Sequence, residues 1–170
     1  ISETFELKRL CLYVIDHLKS DIKANIPVEL KEFIDNLLEC LKQKDNFKYW
    51  DLSSSSKEHY RSKTLLGISG IESVIENAYI STFLNAVIEK CDRGIKRTLT
   101  KYKNYHTYYM NEVVDHDIDG GKIKVNAFKQ IPLPLFLEGF VHALKVEKNK
   151  KIPKLVKQSR LYDKKLKMFK

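Results

Sequence analysis

Glycine is scarce in this chain, six among 170 residues, and there are only four prolines and one tryptophan. So few glycines leave little material for tight loops around a substrate. Two motifs that depend on glycine are missing, the phosphate-cradling loop and the Gly-x-Ser-x-Gly nucleophile elbow. Long apolar runs are lacking too. None approaches eighteen uncharged residues, so no transmembrane segment is expected. The three cysteines, Cys11, Cys40 and Cys91, are odd in number and widely spaced. That pattern suits neither a paired disulfide framework nor a clustered zinc site. Cys11 and Cys40 read as small buried apolar residues on helix faces, and the expected compartment is intracellular, cytoplasmic or nuclear. None of His17, His59, His106, His116 and His142 has the i,i+4 partner of a helical metal site. The opening residues, with Glu3, Glu6, Lys8 and Arg9, do not resemble a signal peptide. Lack of an initiator Met is what a chain beginning inside a longer protein would show. Carboxylate pairs such as Glu72 and Glu76 have no candidate nucleophile nearby. These absences predict a non-enzyme with no cofactor and no small-molecule substrate.

What is abundant is charge, and it is unevenly placed. Lysine and arginine number 31 against 22 aspartates and glutamates, a net charge of +9. Residues 1–142 hold 20 of each sign, whereas residues 143–170 hold 11 basic side chains against Glu147 and Asp163. The whole surplus sits in the last 28 residues. That is a localised anion-seeking segment.

Apolar residues recur at helical spacing almost everywhere. Cys11, Val14, Ile15, Leu18 and Ile22 form one stripe within a helix from Glu3 to about Lys23. Pro27 suits the first turn of a second helix, whose inner face carries Leu30, Phe33, Ile34, Leu37, Leu38 and Leu41. Ser55 with Glu58, and Ser69 with Glu72, read as capping boxes. The second box is expected to open a long helix with Val74 and Ala78 inside. Ile95, Leu99, Tyr102, Tyr109 and Val113 continue the pattern. Pro132 and Pro134 precede a helix carrying Leu135, Phe136, Phe140, Val141 and Leu144, and Pro153 starts a last one. The expected fold is all-α, a compact bundle of six or seven helices with at most one short β-hairpin or turn near 122–126. Its expected core comprises Leu30, Phe33, Leu37, Val74, Ala78, Phe136 and Phe140. Residues 1–144 would form the helical domain, and 145–170 a basic C-terminal helical segment that could dock on it.

The segment Asp115-His-Asp-Ile-Asp-Gly-Gly121 resembles the opening of an EF-hand loop. Asp115, Asp117 and Asp119 fall at its first, third and fifth positions and Gly120 at its sixth. The likeness covers about fourteen residues and then departs. Lys122 stands where an apolar residue belongs, and Asn126 where the bidentate Glu belongs. Asp-Gly-Gly is also ordinary turn chemistry, leading into an extended Lys122–Val125. Asp115, Asp117 and Asp119 are therefore weak metal candidates, expected to bind calcium poorly or not at all.

Two basic stretches are the candidate partner-binding sites. Arg93, Arg97 and Lys101 lie four residues apart along one helix face, interleaved with Tyr102, Tyr105, Tyr108 and Tyr109. Such a stripe can follow phosphates while tyrosines stack on bases, or it can be a solvated face. In the C-terminal segment, Lys154, Lys157, Lys164, Lys165 and Lys167 surround a narrow apolar strip of Leu155, Tyr162, Leu166 and Phe169. The expected function is a non-enzymatic interaction or scaffold module that meets an acidic protein surface. A nucleic-acid-binding helical domain is the first alternative, and a degenerate EF-hand-like domain around Asp115 the second.

Overall fold

The computed structural model describes residues 1–18 and 23–169. Among them are six helices and three antiparallel two-stranded sheets. In chain order these are α1 (Ser2–His17), β1 (Lys23–Pro27), α2 (Val28–Leu41), α3 (Asn46–Thr64), β2 (Glu72–Glu76), α4 (Asn77–Tyr102), β3 (Tyr109–Asp119), β4 (Lys122–Pro132), α5 (Leu137–Glu147), α6 (Lys151–Gln158), β5 (Tyr162–Asp163) and β6 (Met168–Phe169). The chain divides into two compact units, residues 1–9 with 91–170, and residues 10–90.

The all-α expectation is corrected on this point: the fold is mixed, and four segments expected as helix, loop or short hairpin, 23–27, 72–76, 109–132 and 162–169, hold the strands of three two-stranded sheets. The Ser69–Glu72 signal opens no helix. Ser69 Oγ accepts from Ile71 N at 3.3 Å, closing a turn, and residues 72–76 then pair with β1 in the register Lys23↔Glu76 to Pro27↔Glu72. A hydroxyl that caps a helix closes an isolated turn equally well, so the motif alone does not distinguish them. Lys23 accordingly begins a strand instead of ending a helix; Ile22 lies outside the described residues. The Ser55–Glu58 signal falls inside α3. The true cap is Asp45, whose carboxylate accepts from Lys48 N at 2.7 Å.

In the unit of residues 10–90, α2 is the organiser. Phe33 stacks on Tyr60 of α3 with ring centroids 4.7 Å apart, and Ile34, Cys40 and Leu41 are buried. Asp35 accepts from Tyr79 Oη at 2.7 Å, joining α2 to the start of α4. Glu29 is buried and accepts from Ser69 N at 2.9 Å. The Ser69 side chain and then this amide hold the Glu29 carboxyl below its usual range.

The other unit has its core around Phe5, Ile95, Tyr105, Phe140, Ala143, Ile152 and Val156. Of the expected core positions, Phe140 is buried and Leu30, Phe33 and Leu37 are half-buried. Val74, Ala78 and Phe136 are exposed and are corrected accordingly. Val74 lies on the outer side of a two-stranded sheet, and Phe136 precedes its helix, where helical spacing no longer governs direction. All three cysteines are buried, Cys11 and Cys40 as free thiols. No helix among the described residues is long and apolar enough to cross a membrane.

Candidate basic interaction surface

Both basic stretches belong to the unit of residues 1–9 and 91–170. By sequence it carries 21 basic and 10 acidic side chains, against 10 basic and 12 acidic in residues 10–90. The charge imbalance is thus larger in the fold than in the C-terminal stretch alone, because α4 and the C-terminal segment gather in one body.

On α4, Ile95 is buried, and Leu99 packs partly buried against the same core. At 100° per residue, Arg93, Arg97 and Lys101 then fall on the opposite side of the helix, and all three are exposed. A groove of about 540 Å³ runs along the flank of α4, floored by Ile95 and Leu99 and edged by Lys96, Lys103, Asp92 and Glu147. Tyr105 Oη donates to Glu147 at 3.2 Å. Burial, and then this carboxylate, push the Tyr105 phenol up to about 12.

The tyrosines of this stretch are engaged within the protein. Tyr102 Oη donates to Gln130 O at 2.9 Å, and its ring lies 5.5 Å from that of Tyr109. Tyr105 is buried against Phe5 and Phe140. Tyr108 donates to Glu138 at 2.9 Å. Of these four only Tyr108 is exposed, and its ring meets Phe136 edge to face with centroids 5.9 Å apart.

The C-terminal segment differs from the expected continuous helix. α6 ends at Gln158. Ser159 Oγ donates to Val156 O at 2.8 Å and accepts from Leu161 N at 3.2 Å, and these local bonds compete with a further helical turn. Asp163 Oδ1 then accepts from Lys165 N at 2.9 Å and Leu166 N at 3.1 Å. Lys164, Lys165, Leu166 and Lys167 are thereby gathered in one turn between β5 and β6, with Lys167 in the left-handed region at φ 53°. Leu166 is 69 % exposed at that turn. Phe169 stands opposite Tyr162 across the small sheet, ring centroids 5.3 Å apart. Lys154 and Lys157 are exposed on α6, whose buried side is formed by Ile152 and Val156. Those two residues have the i,i+4 spacing of a buried stripe, which is the signal by which they could have been found. The organising role of Asp163 also had a signal, an Asp two and three residues before the amides it caps.

Asp115, Asp117 and Asp119 lie on β3, in a long hairpin and not in a helix-loop-helix. Asp117 faces Lys124, and Asp119 faces Lys122. Gly120 and Gly121 make the turn at φ 53° and 77°, the two positive angles that a type I′ hairpin demands. Among the described residues, no group of three or more His, Cys, Asp or Glu side chains is placed to hold a metal ion.

A charge cluster at the N-terminal helix completes the unit. Glu6 accepts from Arg9 Nε at 2.8 Å, and Glu6 Oε1 lies 2.5 Å from His142 Nδ1. Hydrogen bonds from Arg9 and then His142 lower the Glu6 carboxyl from 4.5 to about 2. Because the folded value is depressed, the stabilisation is complete above about pH 4.5 and is lost as pH falls through about 2. Glu6→Gln is therefore expected to be less stable than wild type at neutral pH and to converge with it in strong acid. Urea midpoints measured across pH check this, and a gap that persists unchanged in acid would refute it.

No protein-family model matches this chain, and no curated protein or solved structure matches it significantly.

Proposed function

We propose that this chain is a non-enzymatic interaction module, a subunit or segment of a larger intracellular assembly, that grips an acidic surface of a partner protein. The contact runs through the basic unit, with the Lys164–Lys167 turn as its leading edge and Arg93, Arg97, Lys101, Lys154 and Lys157 contributing long-range attraction. The observation that carries this reading is the turn itself. Asp163 fixes three lysines around an exposed leucine, which offers charge for an acidic rim and one apolar side chain for a small pocket. Interfaces concentrate their energy in such a central anchor with a polar surround. Internal engagement of the four tyrosines supports a protein partner over nucleic acid, because stacking is what a sequence-tolerant strand binder depends on. Cys11 and Cys40, buried free thiols, fit a reducing cytoplasmic or nuclear setting.

The test is fluorescence anisotropy with a labelled oligo-glutamate peptide and a single-stranded DNA of equal charge. Reversing Lys164, Lys165 and Lys167 to Glu is expected to weaken peptide binding about tenfold or more, since exposed pairs contribute roughly 0.2–1 kcal/mol each and reversal adds repulsion. Tighter binding to the DNA, with a steep loss in salt, would replace this reading with the nucleic-acid one. Peptide affinity unaffected by the reversal would remove the turn from the site.

A further inference from the structure

The β3–β4 hairpin is an arm with two unlike faces. Every residue from 110 to 124 is exposed, and the arm is tied down at its base by Tyr102 on Gln130 and Tyr109. Each strand contains one bulged residue, Val114 in β3 and Asn126 in β4. Two compensating bulges keep the alternation in step. The pair Val113↔Phe128 is four ladder positions from Ile118↔Ile123, and His116↔Val125 lies midway. Side chains two positions apart share a face, so Val113, Ile118, Ile123, Val125 and Phe128 form one apolar face, with His116 set among them. Ile118 is 73 % and Ile123 69 % exposed. The opposite face is charged, with Glu112↔Lys129, Asp117↔Lys124 and Asp119↔Lys122 set directly across from one another.

We propose that two copies of this chain associate by packing these apolar faces together, arms antiparallel. Charge decides in favour of a second copy. Residues 109–132 hold three lysines against four acids, whereas the rest of their unit holds 18 basic side chains against six acidic. The arm is the near-neutral element through which two equally basic bodies can meet. An arm of 11-residue strands is about 35 Å long. Antiparallel arms thus set the bodies several Debye lengths apart, each about 8 Å at physiological salt. The face is also self-complementary. A two-fold axis beside His116↔Val125 sets the tip isoleucines of one copy on Val113 and Phe128 of the other, as an isologous contact requires. Strand addition at the edges is disfavoured, because a bulge interrupts each edge and β4 carries Lys122, Lys124 and Lys129. A two-stranded hairpin alone is only marginally stable in water, and face packing gives it the missing layer.

Sedimentation equilibrium of the full chain tests this. The wild type is expected to pass from 19.9 kDa to twice that mass over roughly 10–100 µM, the affinity range of a small interface. Ile118→Thr/Ile123→Thr keeps strand propensity and should remain monomeric throughout. Val113→Thr, at the other end of the same contact, should weaken association as well. Asp119→Ser/Lys122→Ser, on the charged face, should dimerise like the wild type. Circular dichroism confirms the fold of each variant. A wild type that stays monomeric would overturn the proposal and give the face to a different partner. Dimers indifferent to all three apolar-face substitutions would overturn it equally.

Discussion

Ile152→Ala is expected to cost about 2–5 kcal/mol of stability, the range for truncating a large aliphatic side chain in a close-packed core. Ile152 has no exposed surface and packs in the cluster formed by Phe5, Ile95, Tyr105, Phe140, Ala143 and Val156. Leu166→Ala, eight residues after α6, should change stability by less than about 0.5 kcal/mol, because an exposed side chain has little packing to lose. The contrast separates two roles in one basic segment, with α6 as core and the turn beyond it as surface. Urea denaturation of both variants measures it. Similar small losses would mean that α6 is a detachable peg, and similar large losses would mean that the turn is packed. For the same reason, truncating the chain before α6 is expected to unfold its unit, so charge reversal is the cleaner probe of binding.

Gly139→Ala is expected to cost at least about 2 kcal/mol, towards the upper part of the range for overpacking. A Cβ at this position would sit 2.2 Å from the Tyr105 carbonyl oxygen and 3.1 Å from Thr107 Oγ1. The oxygen is backbone and cannot rotate away. Thr107 Oγ1 meanwhile accepts the Gly139 amide at 3.0 Å in a fully buried contact, so a shift of α5 would also break that bond. Gly94→Ala provides the control, since a Cβ there meets nothing within 4 Å, and Ala is a better helix former than Gly. Equal stability of Gly139→Ala and wild type would contradict the close approach.

How much of this was readable beforehand depended on whether the cause was local. α2 was legible because Leu30, Phe33, Ile34, Leu37 and Leu41 repeat through the whole helix. The turn at Gly120–Gly121 was legible because few residues tolerate its backbone angles. The length of the arm was not. Tyr109 and Val113 are four apart, a spacing that fits one helical face as well as two strand positions on one side, and the bulges at Val114 and Asn126 break the strict alternation that marks a strand. β1 and β2 were hidden for another reason, since each is stabilised by a partner more than forty residues away. In the basic surface, the lysines stood out by composition, but their gathering in one turn rests on Asp163. The union of α4 and the C-terminal segment in one unit rests on long-range packing that no local pattern encodes.

The proposed partner contact is tested most directly by amide hydrogen exchange of the full chain, with and without a saturating oligo-glutamate peptide. Slowed exchange is predicted in residues 93–101 and 154–167, with α2 and α3 unchanged. Protection confined to residues 28–64, or no change anywhere, would contradict it.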